Sequence, residues 1–236
     1  MLTKEILKKI AYEKLNSTNI ADALGKTGVL EGYVYRGRGQ VIVSGPARAF
    51  TAQNVGNFDL HKFINTVNQG EIVFVDASVC MPKSILGDMV CDYLFGTKRI
   101  AGLVVKGSIR DADQIYAKDY PVWSHATNPV GVPNQPLKKV GSNKCEIDDG
   151  LLVCDQSGVV YVNKNIDHKL LLDNMSFITI QEKIWDYCIN ILGWSTFETI
   201  CEKNYLIEKH QDSTLARLTR GLNKFEFSDL YGEELA

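Results

Sequence analysis

The chain has no Cys-x-x-Cys pair, no Gly-x-Gly-x-x-Gly turn after a strand, no Gly-x-x-x-x-Gly-Lys loop and no His-Glu-x-x-His helix. Nucleotide redox, ATP hydrolysis and zinc proteolysis therefore drop out. Six cysteines, Cys80, Cys91, Cys145, Cys154, Cys188 and Cys201, are scattered along 236 residues. They read as free thiols of a cytoplasmic protein, and no basic-plus-apolar leader precedes the first helical pattern. Apolar runs fall short of the roughly 18 residues that a membrane span needs, so no membrane partner is expected. Excess charge is also lacking: the formal net charge is -2. Basic residues do not gather into an arm interleaved with aromatics, which argues against nucleic acid as a partner. No 20 to 50 residue repeat, heptad run or low-complexity tract occurs, and solenoids and coiled coils fall away with them. The four histidines, His61, His125, His168 and His210, show no ligand spacing.

What remains is ordinary globular material, 45% hydrophobic and 23% charged, enough for a single core. Apolar positions Ile6, Leu7, Ile10, Ala11 and Leu15 predict an amphipathic helix over 3–15. Ser17-Thr18-Asn19 offers caps for a short helix over 20–24, ended by Gly25. Residues 39–51 read as strand, break, strand around Pro46, and 60–67 as a helix. Ile72-Val73-Phe74-Val75-Asp76 is the β-branched and aromatic run of a strand covered on both faces. A helix over 85–97, a strand over 100–106, a short helix near 112–117 and a strand over 121–124 follow, the alternation of an α/β core. Short strands over 137–140, 144–147, 151–155 and 158–162 close the sheet, and 166–204 returns to helical periodicity. Trp185, Tyr187 and Trp194 then pack a helix face. Residues 205–236 are polar and read as a tail outside the core.

One run reads as a reaction site. Gly87-Asp88-Met89-Val90 opens a helix, and the apolar strand Ile100 to Val105 runs through Lys106-Gly107-Ser108-Ile109 into Arg110-Asp111. A cation and a carboxylate at the exit of a buried strand are costly unless paired or turned to a ligand. Alone, an Arg-Asp pair is more often a solvated pair or turn device, Asp88 an ordinary helix cap, and Gly87 and Gly107 turn glycines. Lys106 is either a ligand contact or a charge at the strand end. His125, in the loop after the next strand, is the histidine to watch.

The chain resembles the RraA-like family over about 15–200. The residues that carry the likeness are Ala21-Asp22-Ala23-Leu24, Gly45-Pro46-Ala47-Arg48-Ala49, Gly70 to Asp76, the site run, Tyr120-Pro121-Val122-Trp123 and Gly158 to Val162. The family signature is an acidic residue, a spacer, then Arg-Asp. Asp88 matches its first position and Arg110 and Asp111 its pair, across a slightly longer spacer, and Lys106 stands where many members are acidic or neutral. The resemblance implies an α/β fold, a swivelling β/β/α sandwich with mixed sheets and a helical C-terminal extension, as an aldolase domain over 1–204.

It further implies a divalent-metal lyase that cleaves 4-hydroxy-4-methyl-2-oxoglutarate and related 2-oxo acids or decarboxylates oxaloacetate, through a pyruvate enolate. In that reading Arg110 clamps a carboxylate, and the amides of Gly87, Asp88, Met89 and Val90 cradle the anion. Asp111 holds Mg²⁺ or Mn²⁺, and Asp88 orients a water on the metal. The resemblance also implies a homotrimer or hexamer with sites between subunits, near which Glu182 would fall. The family includes a non-catalytic regulator of an endoribonuclease, which lacks the metal-binding aspartate. That leaves a protein-binding role, or a specialised reaction at the same site, as the alternatives.

Overall fold

The computed structural model describes residues 2–138, 145, 147, 149–207 and 212–224. In chain order its elements are α1 (Leu2–Glu13), α2 (Ser17–Ala23), β1 (Val29–Leu30), β2 (Val34–Tyr35), β3 (Ile42–Thr51), α3 (Phe58–Phe63), β4 (Ile72–Asp76) and β5 (Ser84–Leu86). Then come α4 (Asp88–Cys91), β6 (Gly102–Ile109), α5 (Ala112–Ala117), β7 (Val122–Thr127), β8 (Leu151–Asp155), β9 (Val159–Val162), α6 (His168–Asp186) and α7 (Ser213–Leu222). The chain divides into two compact units. One takes residues 1–18 and 28–166, the other 19–27 and 167–236.

The first unit is built on a curled mixed sheet in the order β1-β9-β8-β3-β4-β6-β7-β2, with β5 beside β6. Strand β3 joins its two parts. It runs antiparallel to β8 over Ile42–Pro46 and parallel to β4 from Ala47 to Thr51. The break expected around Pro46 does not occur, because the residue without an N–H falls where one ladder ends and the other begins, a place that tolerates a missing donor.

Strand β4 is buried at all of its positions, as its composition predicts. Val73 and Val75 join Leu103, Val105 and Ile109 in a core with Leu60, Ile64, Leu94 and Ile115. On the opposite face Ile72 and Phe74 pack with Val104, Trp123, Leu152 and Val159. Each such side chain contributes roughly 1.5–3 kcal/mol by leaving water. Trp123 also donates its indole N–H to the Asp155 carbonyl at 2.8 Å, so no buried donor is left over.

Two boundaries near the site differ from expectation. The helix expected over 85–97 begins only at Asp88, since Ser84–Leu86 pair with β6 as a strand. Beyond Cys91 it widens into a π-helical turn over Asp92–Lys98. Strand β6 runs past 106 to Ile109. Gly107, at φ +153° with the Ala77 side chain 3.1 Å from where a Cβ would stand, allows that continuation.

The second unit is helical. Asp167 caps α6 by accepting from the Lys169 and Leu170 N–H groups, and Asp212 caps α7 by accepting from Thr214 and Leu215. Tyr205, Leu215 and Leu222 are buried, so the described part of 205–236 packs rather than trailing in water. Residue Trp185 is only half-buried. The strands expected over 137–140 and 144–147 lie largely outside the described residues. The cysteines are free thiols, and no helix among the described residues is long and apolar enough to cross a membrane.

Candidate active site

The end of β6 sets the site. The Arg110 N–H donates to the Leu86 carbonyl at 3.0 Å, tying the exit of β6 to that of β5. The next residue, Asp111, adopts the left-handed conformation at φ 57°. An L-residue pays on the order of 1–2 kcal/mol there, and aspartate is among those that tolerate it. Its carbonyl accepts from the Gln114 and Ile115 N–H groups and starts α5. The turn breaks the alternation by which neighbouring strand residues face opposite ways. Arg110 Nε consequently lies 3.3 Å from Asp111 Oδ2, with the two side chains 51% and 39% exposed. That contact involves Nε alone among the nitrogens of the arginine's planar donor fork.

Both side chains line a cavity of about 220 Å³, together with Gly87, Asp88, Met89 and Val90 at the start of α4. Gly87 is required for space. A Cβ there would meet the Asp111 carboxylate and stand 2.8 Å from Arg110 Cγ. At Gly131 a Cβ would come within 2.9 Å of Arg110 Nη1, a contact that the flexible end of the arginine can relieve. Asn57, at the start of α3, also lines the cavity; its amide donates to the Ile85 carbonyl at 3.3 Å, while its buried Oδ1 has no hydrogen-bond partner. His61 and Asn134 complete the wall.

Asp88 is engaged from its other side. Lys118 Nζ lies 3.2 Å from Asp88 Oδ2 and 2.8 Å from Asp92 Oδ1, and the Tyr120 hydroxyl donates to Asp92 at 2.8 Å. The hydrogen bond to Asp92 chiefly raises the Lys118 ammonium pKa, and those from Lys118 and Tyr120 hold Asp92 below the usual carboxylate range. Behind them burial, with Asp92 and Asp88 adding to it, pushes the Cys91 thiol up to about 12. This cysteine is inert.

Among the described residues no three His, Cys, Asp or Glu side chains converge as a metal cage. That donor set does not suit a closed zinc site. A half-exposed carboxylate on the wall of an open cavity suits a hard ion that takes one or two carboxylates and otherwise water and ligand oxygens, the habit of Mg²⁺ and Mn²⁺.

The structure thus brings Gly87, Asp88, Met89, Val90, Arg110 and Asp111 to one cavity. It does not place Lys106, Gly107 or His125 in that wall. Lys106 pairs in register with Asp76 on β4, and the His125 ring lies 4.4 Å from that of Tyr33. Glu182 lies in the second unit, accepting from the Asn19 amide. Sequence reasoning missed Asn57, His61, Gly131, Asn134 and Lys118. They come from distant loops and helix ends, and only the Asn57 position before a helix carries a local signal, that of a cap.

Comparison with known proteins gives the family and the fold. A protein of Halalkalibacterium halodurans named "Putative 4-hydroxy-4-methyl-2-oxoglutarate aldolase" is 27% identical over 168 residues, 68% of this chain and 78% of that protein. Two solved structures share the fold. One is an uncharacterized protein of Pseudomonas syringae pv. tomato, with TM-score 0.63 at 23% identity over 83% of this chain and 96% of that one. The other is Streptomyces coelicolor RraAS2, described as an unusual member of the RNase ES inhibitor RraA protein family, with TM-score 0.61 at 22% identity over 76% and 94%. Residues 17–161, which hold the whole cavity wall, match the Aldolase/RraA description, and the chain belongs to the RraA-like family.

Proposed function

We propose that the cavity at the end of β6 is the active site of a carbon–carbon lyase acting on a small 2-oxo acid. The reaction is retro-aldol cleavage of a 4-hydroxy-2-oxo acid such as 4-hydroxy-4-methyl-2-oxoglutarate, or decarboxylation of oxaloacetate. The observation that carries this reading is the convergence of Arg110, Asp111, Asp88 and the start of α4 on one small cavity. Its volume of about 220 Å³ lies below the roughly 300–1,000 Å³ of pockets for drug-sized ligands, which suits a short-chain acid. The name of the Halalkalibacterium relative supports the same chemistry.

Both reactions leave a pyruvate enolate, so the site must hold a carboxylate and stabilise charge that grows on the neighbouring oxygen. Arg110 presents a planar fork to the carboxylate. The amides of the Gly87 to Val90 turn add partial positive charge. The Val90 N–H already donates to the Gly87 carbonyl at 3.2 Å, so an anion there draws chiefly on the amides before it. Asp111 is the residue that would hold Mg²⁺ or Mn²⁺. A bound ion supplies Lewis-acid stabilisation of the enolate worth several kcal/mol, which removes the need for a Schiff-base lysine. Asp88 orients the water that takes the C4 hydroxyl proton in the retro-aldol cleavage and that delivers a proton to C3 of the enolate in both reactions.

The test is pyruvate release by the purified protein from oxaloacetate and from 4-hydroxy-4-methyl-2-oxoglutarate, with Mg²⁺ or Mn²⁺ and again with EDTA. Release that EDTA abolishes is the expected result. Silence on both substrates in the presence of metal would contradict the lyase and turn attention to a protein-binding role.

A further inference from the structure

Asp88 and Asp92 stand four residues apart, the spacing that puts like charges side by side on a helix and makes them repel. Lys118 lies between them. Its Nζ is 2.8 Å from both Asp92 oxygens and 3.2 Å from Asp88 Oδ2. An ammonium has three donors, and these three acceptors account for all of them. Lys118 is in turn held from outside the cavity. Tyr120 donates to Asp92, lies with its ring 6.0 Å from the ammonium, and is stacked on Phe95 at 4.7 Å between ring centroids. The chain path adds a further link, since α5 has Asp111 as its N-cap and Lys118 as its C-cap. The helix that begins at the candidate metal ligand ends at the residue gripping the second cavity carboxylate.

We infer that Lys118 is a positioning residue, fixing the Asp88 carboxylate through Oδ2 so that its remaining oxygen is presented to the cavity in one orientation. What Asp88 then does rests on the lyase reading, whereas the orientation of Asp88 does not. The sequence gives no hint of this role, because Lys118 lies 30 residues from Asp88 and reads as an ordinary charge at the end of a short helix. The ion pair is partly open to water, with Lys118 36% exposed, and such pairs add little to stability. Loss of the lysine should therefore be felt in the site and not in the fold.

The experiment compares the wild type with Lys118→Met and Lys118→Arg in steady-state kinetics, thermal unfolding and crystal structures. Misplaced catalytic groups cost up to about 100-fold in rate, so Lys118→Met is expected to lower kcat by roughly 10- to 100-fold with KM within about twofold. Its melting temperature should stay within about 2 °C, as for an exposed pair. Asp88 should occupy more than one rotamer, and Lys118→Arg should recover most of the lost kcat. An unchanged kcat, an effect confined to KM, or a single unaltered Asp88 rotamer in Lys118→Met would overturn the inference. If the wild type turns over neither substrate, the lyase reading fails and the crystal structure alone decides. Scattered Asp88 rotamers then uphold the positioning role, and a single unaltered one refutes it.

Discussion

Strands β4 and β6 pair in parallel within the mixed sheet and carry similar apolar runs, yet they end differently. Strand β4 ends in Asp76, 8% exposed, whose Oδ1 accepts from both the Ser78 N–H and the Ser78 hydroxyl. Strand β6 ends at Ile109 and leads into Arg110 and Asp111, half open to a cavity and in contact through one 3.3 Å pair. Asp155, at the end of β8, resembles Asp76. It is buried and accepts from the Ser17 N–H and hydroxyl and from the Ser157 and Gly158 N–H groups. The contrast separates a carboxylate that accepts hydrogen bonds from the fold around it from one that faces a cavity with a single contact to Arg110.

The largest expected effect breaks the open end. Arg110→Ala should lower kcat/KM for the 2-oxo acid by about a thousandfold, the scale of losing a charged group that acts on developing charge. The melting temperature should hardly move, because Arg110 is half in water. Steady-state kinetics beside a thermal melt checks both halves, and a large loss of stability would place Arg110 with the structural group. Asp155→Ala is the mirror experiment. It leaves four donors without an acceptor and should cost about 3 kcal/mol in a urea titration, with kcat preserved in the folded fraction. Gly87→Ala should fall between them. The added Cβ must displace the Asp111 carboxylate and Arg110 Cγ, so a rate loss of roughly 100-fold is expected with modest destabilisation. The kinetics of the folded variant tests it.

The smallest effect concerns the second unit. Desolvation raises the Glu182 carboxyl, opposed by the Asn19 amide and reinforced by Asp22. A raised folded value means that the fold favours the protonated form, so this contribution is complete at acid pH and is lost as pH rises through the folded value. Glu182→Gln should therefore stabilise the protein slightly at pH 7, by less than about 0.5 kcal/mol for so exposed a side chain, and not at pH 4. Denaturant titrations at both pH values measure the difference.

Much of this was legible in the sequence, and what escaped has physical causes. The continuous run of β4 and the chain from Val104 to Asp111 announce a covered strand and its exit, because burial on both faces leaves no polar alternation. Pro46 misled, since its effect depends on which ladder it faces and the partner strands are distant in sequence. The start of α4 was misplaced because Ile85 and Leu86 satisfy a helical stripe as well as a buried strand. The polar composition of the α7 segment hides its packing, although Asp212-Ser213-Thr214 is a cap signal and Leu215 and Leu222 share one buried face. In the site, the two runs that stand out in the sequence, Gly87 to Val90 and Arg110-Asp111, line one cavity. Asn57 and Gly131, which also line it, and Lys118, which pairs with Asp88, are brought there only by tertiary folding.

The most direct test of the contrast between open and closed carboxylates is Mn²⁺ titration followed by the electron paramagnetic resonance signal of the free ion, on the wild type and on Asp111→Ala. The account predicts one ion bound per wild-type chain and none by the folded variant. Undiminished binding by Asp111→Ala would contradict it.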